Sequence, residues 1–125
     1  MDTKAPRARF EAEVIQGHGG VTVVLVPFDP EDVFCKKPIT IDERRHGWLV
    51  KGKMNGAPFD GWIGDRWGRF FIILDAELRR AANVEVGSPV DVVVEPTASA
   101  KALAKAREQA KLTTAPRRRS PRARG

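Results

Sequence analysis

The sequence predicts a mainly β protein, a small closed β-barrel with two short helices and a flexible C-terminal tail. Short runs rich in β-branched and aromatic residues recur along the chain, and glycine, asparagine or proline separates them. No long crossover helices alternate with these runs, which argues against a Rossmann-like sheet. The chain has 125 residues, about the length of one domain.

The first half of the barrel is predicted from alternation and turn residues. Residues 10–16 mostly alternate apolar and polar side chains, which is typical of a half-buried strand. The glycines of residues 17–20 predict a turn, and the β-branched run 21–26 predicts the next strand. Asp29 followed by Pro30 predicts a short capped helix, and a weak strand is expected at residues 39–41.

The second half contains the strongest hairpin signal. Asn55-Gly56 predicts a type I′ turn, because both of its central positions require positive φ. Residues 64–68 are expected to turn the chain again, and Asp75 caps a predicted helix that ends at Ala82. Strands are predicted over four apolar segments, namely residues 48–54, 57–63, 69–74 and 90–95.

Positive charge is concentrated at the C-terminal end. Residues 97–125 carry nine basic residues and one acid, a net charge of +8, whereas residues 1–96 carry 13 basic and 15 acidic residues, a net charge of −2. We divide the chain into a flexible N-terminus (1–9), a barrel domain (10–96) and a basic tail (97–125). Residues 99–112 are rich in helix formers but have few large apolar side chains. We therefore expect a partly helical, solvated extension that ends in disorder.

Several short motifs in the barrel domain are shared with a known family. They are Phe10-x-Ala12, Val26-Pro27-Phe28-Asp29, Val50-x-Gly52-x-Met54-Asn55-Gly56-x-Pro58-Phe59, Gly68-Arg69-Phe70, Leu78-Arg79-Arg80-Ala81-Ala82 and Gly87-x-x-Val90-x-Val92. Over roughly residues 10–96 the chain resembles a bacterial family of small β-barrels catalogued as a domain of unknown function. In longer relatives this domain precedes a helical bacteriocin-protection domain. The resemblance implies a compact barrel of the double-split type, for which a homodimer is plausible, and implies no activity, cofactor or catalytic residue.

Aromatic and basic side chains cluster around the central hairpin. The candidate ligand-binding residues are Trp48, Trp62, Trp67, Arg66 and Arg69, with Lys51 and Lys53 nearby. An aromatic ring beside a cation can stack on a planar anionic ligand or a base, so we expect one or both of Trp62 and Trp67 to be only partly buried. The alternative, which we favour, is that the tryptophans pack in the core with snorkelling basic neighbours.

The basic tail supplies candidate contacts to nucleic acid. These are Lys101, Lys105, Lys111, Arg117, Arg118, Arg119, Arg122 and Arg124. Cations on a mobile arm bind phosphate backbones without reading sequence, and such binding weakens steeply with salt. The alternative, again the one we favour, is a solvated tail that aids solubility.

The remaining reactive residue types predict no chemistry. His18, His46 and Cys35 lack zinc-site spacing, and the glycine-rich turn lacks the Lys-Ser/Thr of a P-loop. No nucleophile–base pair can be assembled, so we expect no enzyme, metal or cofactor. No apolar run approaches the roughly 20 residues of a membrane span, and no secretory signal is present, so we expect a cytoplasmic protein. The predicted function is a non-enzymatic binding domain whose basic tail contacts nucleic acid, or alternatively a barrel that binds a small molecule near the Trp/Arg cluster.

Overall fold

The structure, a computed structural model, describes residues 7–66 and 68–114. Its elements are β1 (Ala8–Glu13), β2 (Ile15–Gln16), β3 (Thr22–Val26), α1 (Pro30–Phe34), β4 (Ile39–Thr40), β5 (His46–Met54), β6 (Ala57–Arg66), β7 (Arg69–Ile73), α2 (Ala76–Ala82), β8 (Pro89–Pro96) and α3 (Ala100–Thr114). A short 3₁₀ turn over residues 18–20 joins β2 to β3. The predicted mainly β barrel is confirmed, and the described residues contain three short α-helices.

One bent segment brings the two ends of the sheet together. The strands pair antiparallel in the order β1-β8-β5-β6-β7-β3-β2, with β4 beside β5. Only Val14 separates β1, which pairs with β8, from β2, which pairs with β3. The backbone amide of Val14 donates to the carbonyl of Ser88 at 2.8 Å, so pairing with the far end of the sheet continues through the bend. The sheet therefore closes almost completely into a barrel.

The predicted hairpin turn is confirmed and is tied to two neighbouring elements. Asn55 and Gly56 have φ angles of 50° and 86°, as a type I′ turn requires. The Asn55 side chain donates to the carbonyl of Ala82 at 3.2 Å and accepts from the amide of Asp91 at 2.9 Å. The turn residue thus links the β5–β6 hairpin to the end of α2 and to β8.

The barrel interior holds the larger of two apolar clusters. Val90, Val92 and Val94 lie buried on one face of β8, as their alternation predicts. Both predicted helix caps are confirmed, because the carboxylate of Asp29 accepts from the amide of Glu31 and that of Asp75 accepts from the amide of Leu78. The two capped helices add buried apolar residues to this interior cluster.

The smaller apolar cluster lies outside the barrel, under α3. Ala102, Ala106 and Ala110 have no exposed surface and pack with Leu49 and Trp62 of the sheet. This corrects the expected solvated extension over the described residues 100–111. A helix face made of alanine allows the helix axis to approach the sheet closely, so three small side chains suffice to bury a large aromatic surface.

The hairpin before β7 also differs from the prediction. The turn predicted over residues 64–68 is shorter in the structure: β6 continues to Arg66, the chain reverses between Arg66 and Arg69, and Gly64 pairs with Phe71 of β7. A Cβ atom on Gly64 would lie 2.6 Å from the ring carbon Cζ of Phe71. The glycine therefore permits close approach of an aromatic ring within the sheet rather than a change of chain direction.

Candidate functional site

An open groove of about 370 Å³ lies on the outer face of the barrel, beside α3. Its apolar floor comes from β2, β3, β7 and the turn before β3, and consists of Ile15, Val21, Val23, Leu25 and Phe71. Successive side chains alternate faces along a strand, so the same periodicity that sends Val24 and Val26 into the barrel leaves Val23 and Leu25 outside.

The packing under the floor is continuous with the cluster that α3 covers. Val23 is a buried member of that cluster, and Phe71 packs edge-to-face against Trp62 with ring centroids 5.9 Å apart. Leu25, further along β3, is 39% exposed. The groove is therefore the part of the outer sheet surface that α3 leaves uncovered.

Three arginines, Arg45, Arg66 and Arg69, line this apolar floor together with one acid, Asp65. Arg66 and Arg69 are directly opposed across the β6–β7 hairpin. A single anion placed between two opposed arginines can accept hydrogen bonds from both. The carboxylate of Asp65 accepts a hydrogen bond from the amide of Gly68 at 3.1 Å. The described lining is thus net positive around an apolar surface.

The structure separates the predicted aromatic and basic candidates. Trp48 is 6% exposed and Trp62 is 1% exposed, and both pack in apolar clusters. Their indole N–H groups donate to the carbonyl of Lys36 at 2.8 Å and to the side-chain oxygen of Gln109 at 3.1 Å. The expected partial exposure therefore does not hold for Trp62, while Trp67 lies outside the described residues. The two candidate arginines, by contrast, line the groove.

The candidate cations of the tail fall into two groups. The ammonium groups of Lys101 and Lys105 lie 3.5 Å and 2.8 Å from the carboxylates of Asp60 and Asp75, so they anchor α3 to the barrel. Lys111 is exposed in the last turn of α3. The other five candidates lie outside the described residues: Arg117, Arg118, Arg119, Arg122 and Arg124.

The Lys105–Asp75 contact is the shorter of these two ion pairs. Partial burial by itself would raise the pKa of Asp75, but hydrogen bonds from Lys105 and from the Leu78 amide outweigh it and hold that pKa below its usual range. The same hydrogen bond raises the pKa of Lys105. Both shifts favour the charged pair, which fixes α3 beside the start of α2.

Apart from Arg66 and Arg69, the sequence predicts none of the lining residues as site residues, among them Ile15, Leu25, Arg45 and Phe71. The available signal was the run 21–26, which is apolar on both faces although a strand facing water on one side should alternate. That pattern indicates that another element packs on the second face of the strand, and α3 covers only part of this face. The residual exposed strip is the groove.

The described residues contain neither a metal-ligand cluster nor a helix suited to span a membrane. Within 7–66 and 68–114, no group of three or more histidine, cysteine, aspartate or glutamate side chains is placed to hold a metal ion. None of the described helices has the length and apolar character that a membrane-spanning helix needs. Cys35 is exposed at the end of α1 with a φ of 57°.

Comparison with known proteins assigns the barrel to a family. Residues 10–94 match the family described as a domain of unknown function, DUF1905. No curated protein matches the chain. The match begins in β1 and ends in β8, so it spans the strands of the barrel and stops before α3. It confirms the resemblance found in the sequence motifs, and the chain belongs to the DUF1905 family.

Proposed function

We propose that the barrel binds a small ligand that joins an anionic group to an apolar body, in the outer groove. The opposed pair Arg66 and Arg69, set beside an apolar floor, is the observation that carries the proposal. A volume of about 370 Å³ lies within the range of sites that bind small molecules. The proposal assigns binding, and no catalytic step, to the domain.

The two parts of the ligand have different roles. Contact of an apolar body with Leu25 and Phe71 removes surface from water and supplies affinity. The arginine fork offers planar, directed donors to a carboxylate or phosphate, which sets the orientation of the ligand. Arg69 is exposed, so its head group can rearrange around an anion without opening the core.

Phenyl phosphate is a suitable first probe, titrated into the full chain while backbone amide resonances are followed by NMR. We expect shifts at residues 15–25 and 64–71. Arg69→Ala should weaken binding about tenfold or more, since a hydrogen bond to a charged group contributes about 1.5–3 kcal/mol. Arg80→Ala removes an equally exposed arginine from α2 and is the matched control. Equal affinity of the two variants, or shifts outside the groove, would refute the proposal.

Nucleic-acid contact by the tail remains a second proposal, carried by the net charge of +8 on residues 97–125. Removal of all these residues would be a poor test, because it removes α3 and uncovers Trp62. Replacement of the five arginines at 117, 118, 119, 122 and 124 by glutamine leaves every described contact in place. If the tail binds nucleic acid, this variant should lose affinity for a DNA duplex and much of its salt dependence.

A further inference from the structure

A second depression continues the groove over the rim of the barrel. It has a volume of about 310 Å³ and is lined by residues of the end of β3, the segment that follows it, and the start of β7. Leu25 and Arg69 line both this depression and the groove. Arg69 therefore lies between the two recesses, which are the groove and the second depression, and Arg66 lies opposite it across the hairpin.

Each recess presents a half-buried phenylalanine. Phe71 forms part of the groove, while Phe28 and Phe70 line the second depression. Edge-to-face contacts hold these rings in one orientation, with centroids 5.8 Å apart for Phe28 with Phe10 and 5.7 Å apart for Phe70 with Trp48. Rings fixed in this way offer aromatic surface at little cost in conformational entropy.

We infer that the natural ligand of this site is single-stranded nucleic acid, with one base in each recess and the connecting phosphodiester at Arg69. The inference rests on the proposed function and names its ligand class. The arrangement of aromatic, cation and aromatic matches the alternation of base, phosphate and base along a strand. A ligand with a terminal anionic group and a single apolar body would occupy one recess and leave the other empty.

The site suits a single strand better than a duplex. Helix α3 packs against the 3₁₀ turn that precedes β3, and Gly17, just before that turn, lines the groove. Duplex DNA would fit poorly, because paired bases are not available for stacking on the phenylalanines.

The test compares thymidine monophosphate with the dinucleotide TpT on the full chain, by the same NMR titration. The monophosphate carries more negative charge but a single base, so simple attraction to arginine, in the tail or in the groove, favours it. Use of both recesses instead favours TpT, and we expect it to bind about tenfold more tightly because a second base is stacked. Equal or weaker binding of TpT would overturn the inference.

Two variants locate the second base. Phe28→Leu keeps an apolar side chain in the second depression and should reduce TpT affinity to that of the monophosphate, with the monophosphate unaffected. Leu25→Asp places a carboxylate at the junction on an exposed position and should abolish binding of TpT. An unchanged TpT affinity in Phe28→Leu would contradict the two-base arrangement.

The outcomes also separate this inference from the function on which it rests. Groove binding of phenyl phosphate that depends on Arg69, without a preference for TpT, would leave a small-ligand site and reject the strand. Absence of groove shifts with phenyl phosphate, monophosphate and dinucleotide alike would reject both.

Discussion

Replacement of Gln109 by leucine is the sharpest test of the packing between α3 and the barrel. Gln109 is 5% exposed, and its side-chain oxygen accepts the hydrogen bond of the Trp62 indole at 3.1 Å. Leucine has a similar helix propensity and no acceptor. Gln109→Leu therefore leaves the indole N–H buried without this partner, at a cost of about 1–3 kcal/mol.

The size of the effect can be read from thermal unfolding. A domain of this size lies between the two ranges known for smaller and larger domains, so each kcal/mol corresponds to about 4 °C in Tm and a decrease of roughly 4–12 °C is expected. Glu108→Leu is the matched control, because Glu108 is adjacent and exposed, and its replacement should change stability by no more than ~0.5 kcal/mol. Urea unfolding followed by tryptophan fluorescence gives the free energies. If the two variants unfolded at the same urea concentration, the described packing of α3 against Trp62 would be wrong.

Three further perturbations test other parts of the structure. Gly52→Ala should destabilise the barrel by about 1–3 kcal/mol, because the new Cβ would overlap the carbonyl of Val93. Gly61→Ala is the control, because its Cβ would lie 3.6 Å from a ring carbon, which is an ordinary contact distance. Gly52→Ala should therefore unfold at a lower urea concentration than Gly61→Ala. The lowered pKa of Asp75 means that its ion pair stabilises the fold above pH ~4 and that this contribution is lost as the pH falls through the folded-state pKa. Asp75→Asn keeps a good helix cap, so the stability gap to the parent should narrow as the pH falls below about 4, and a gap that does not change with pH would contradict the ion pair. A chain ending at residue 98 lacks α3, which uncovers Trp62, so it should unfold or aggregate. A chain ending at residue 114 keeps the described core and should stay folded. Equal melting temperatures of the two truncated chains by circular dichroism would refute this role of α3.

The elements that sequence predicts well here are those fixed by contacts between near neighbours. Asn55-Gly56 is followed by its own partner strand, and Asp29 and Asp75 cap helices through amides two or three residues away. Such signals need no knowledge of the rest of the fold. The end of β6 is the exception, because the glycine at position 64 has the same appearance in sequence whether it turns the chain or accommodates the ring of Phe71.

The candidate site could be predicted only in part, for the same reason. Arg66 and Arg69 stand out because they lie three residues apart at a turn, and the structure places both in the groove. The apolar floor combines Ile15 and Leu25, on adjacent strands, with Phe71, which lies much further along the chain and reaches them only because β7 pairs with β3. No local pattern encodes that contact.

Local sequence patterns are enough to predict the mainly β class, the hairpin, the helix caps, the helical propensity of residues 99–112 and the excess of positive charge beyond residue 97. Tertiary structure decided what those features do. A face of Ala102, Ala106 and Ala110 has too little apolar surface to indicate a buried helix, yet it fits a sheet surface that already presents Trp62 and Leu49. Propensity depends on a residue and its neighbours, whereas burial depends on the shape of a distant partner. That partner turned a predicted solvated extension into core and left the uncovered strip of the sheet as the groove.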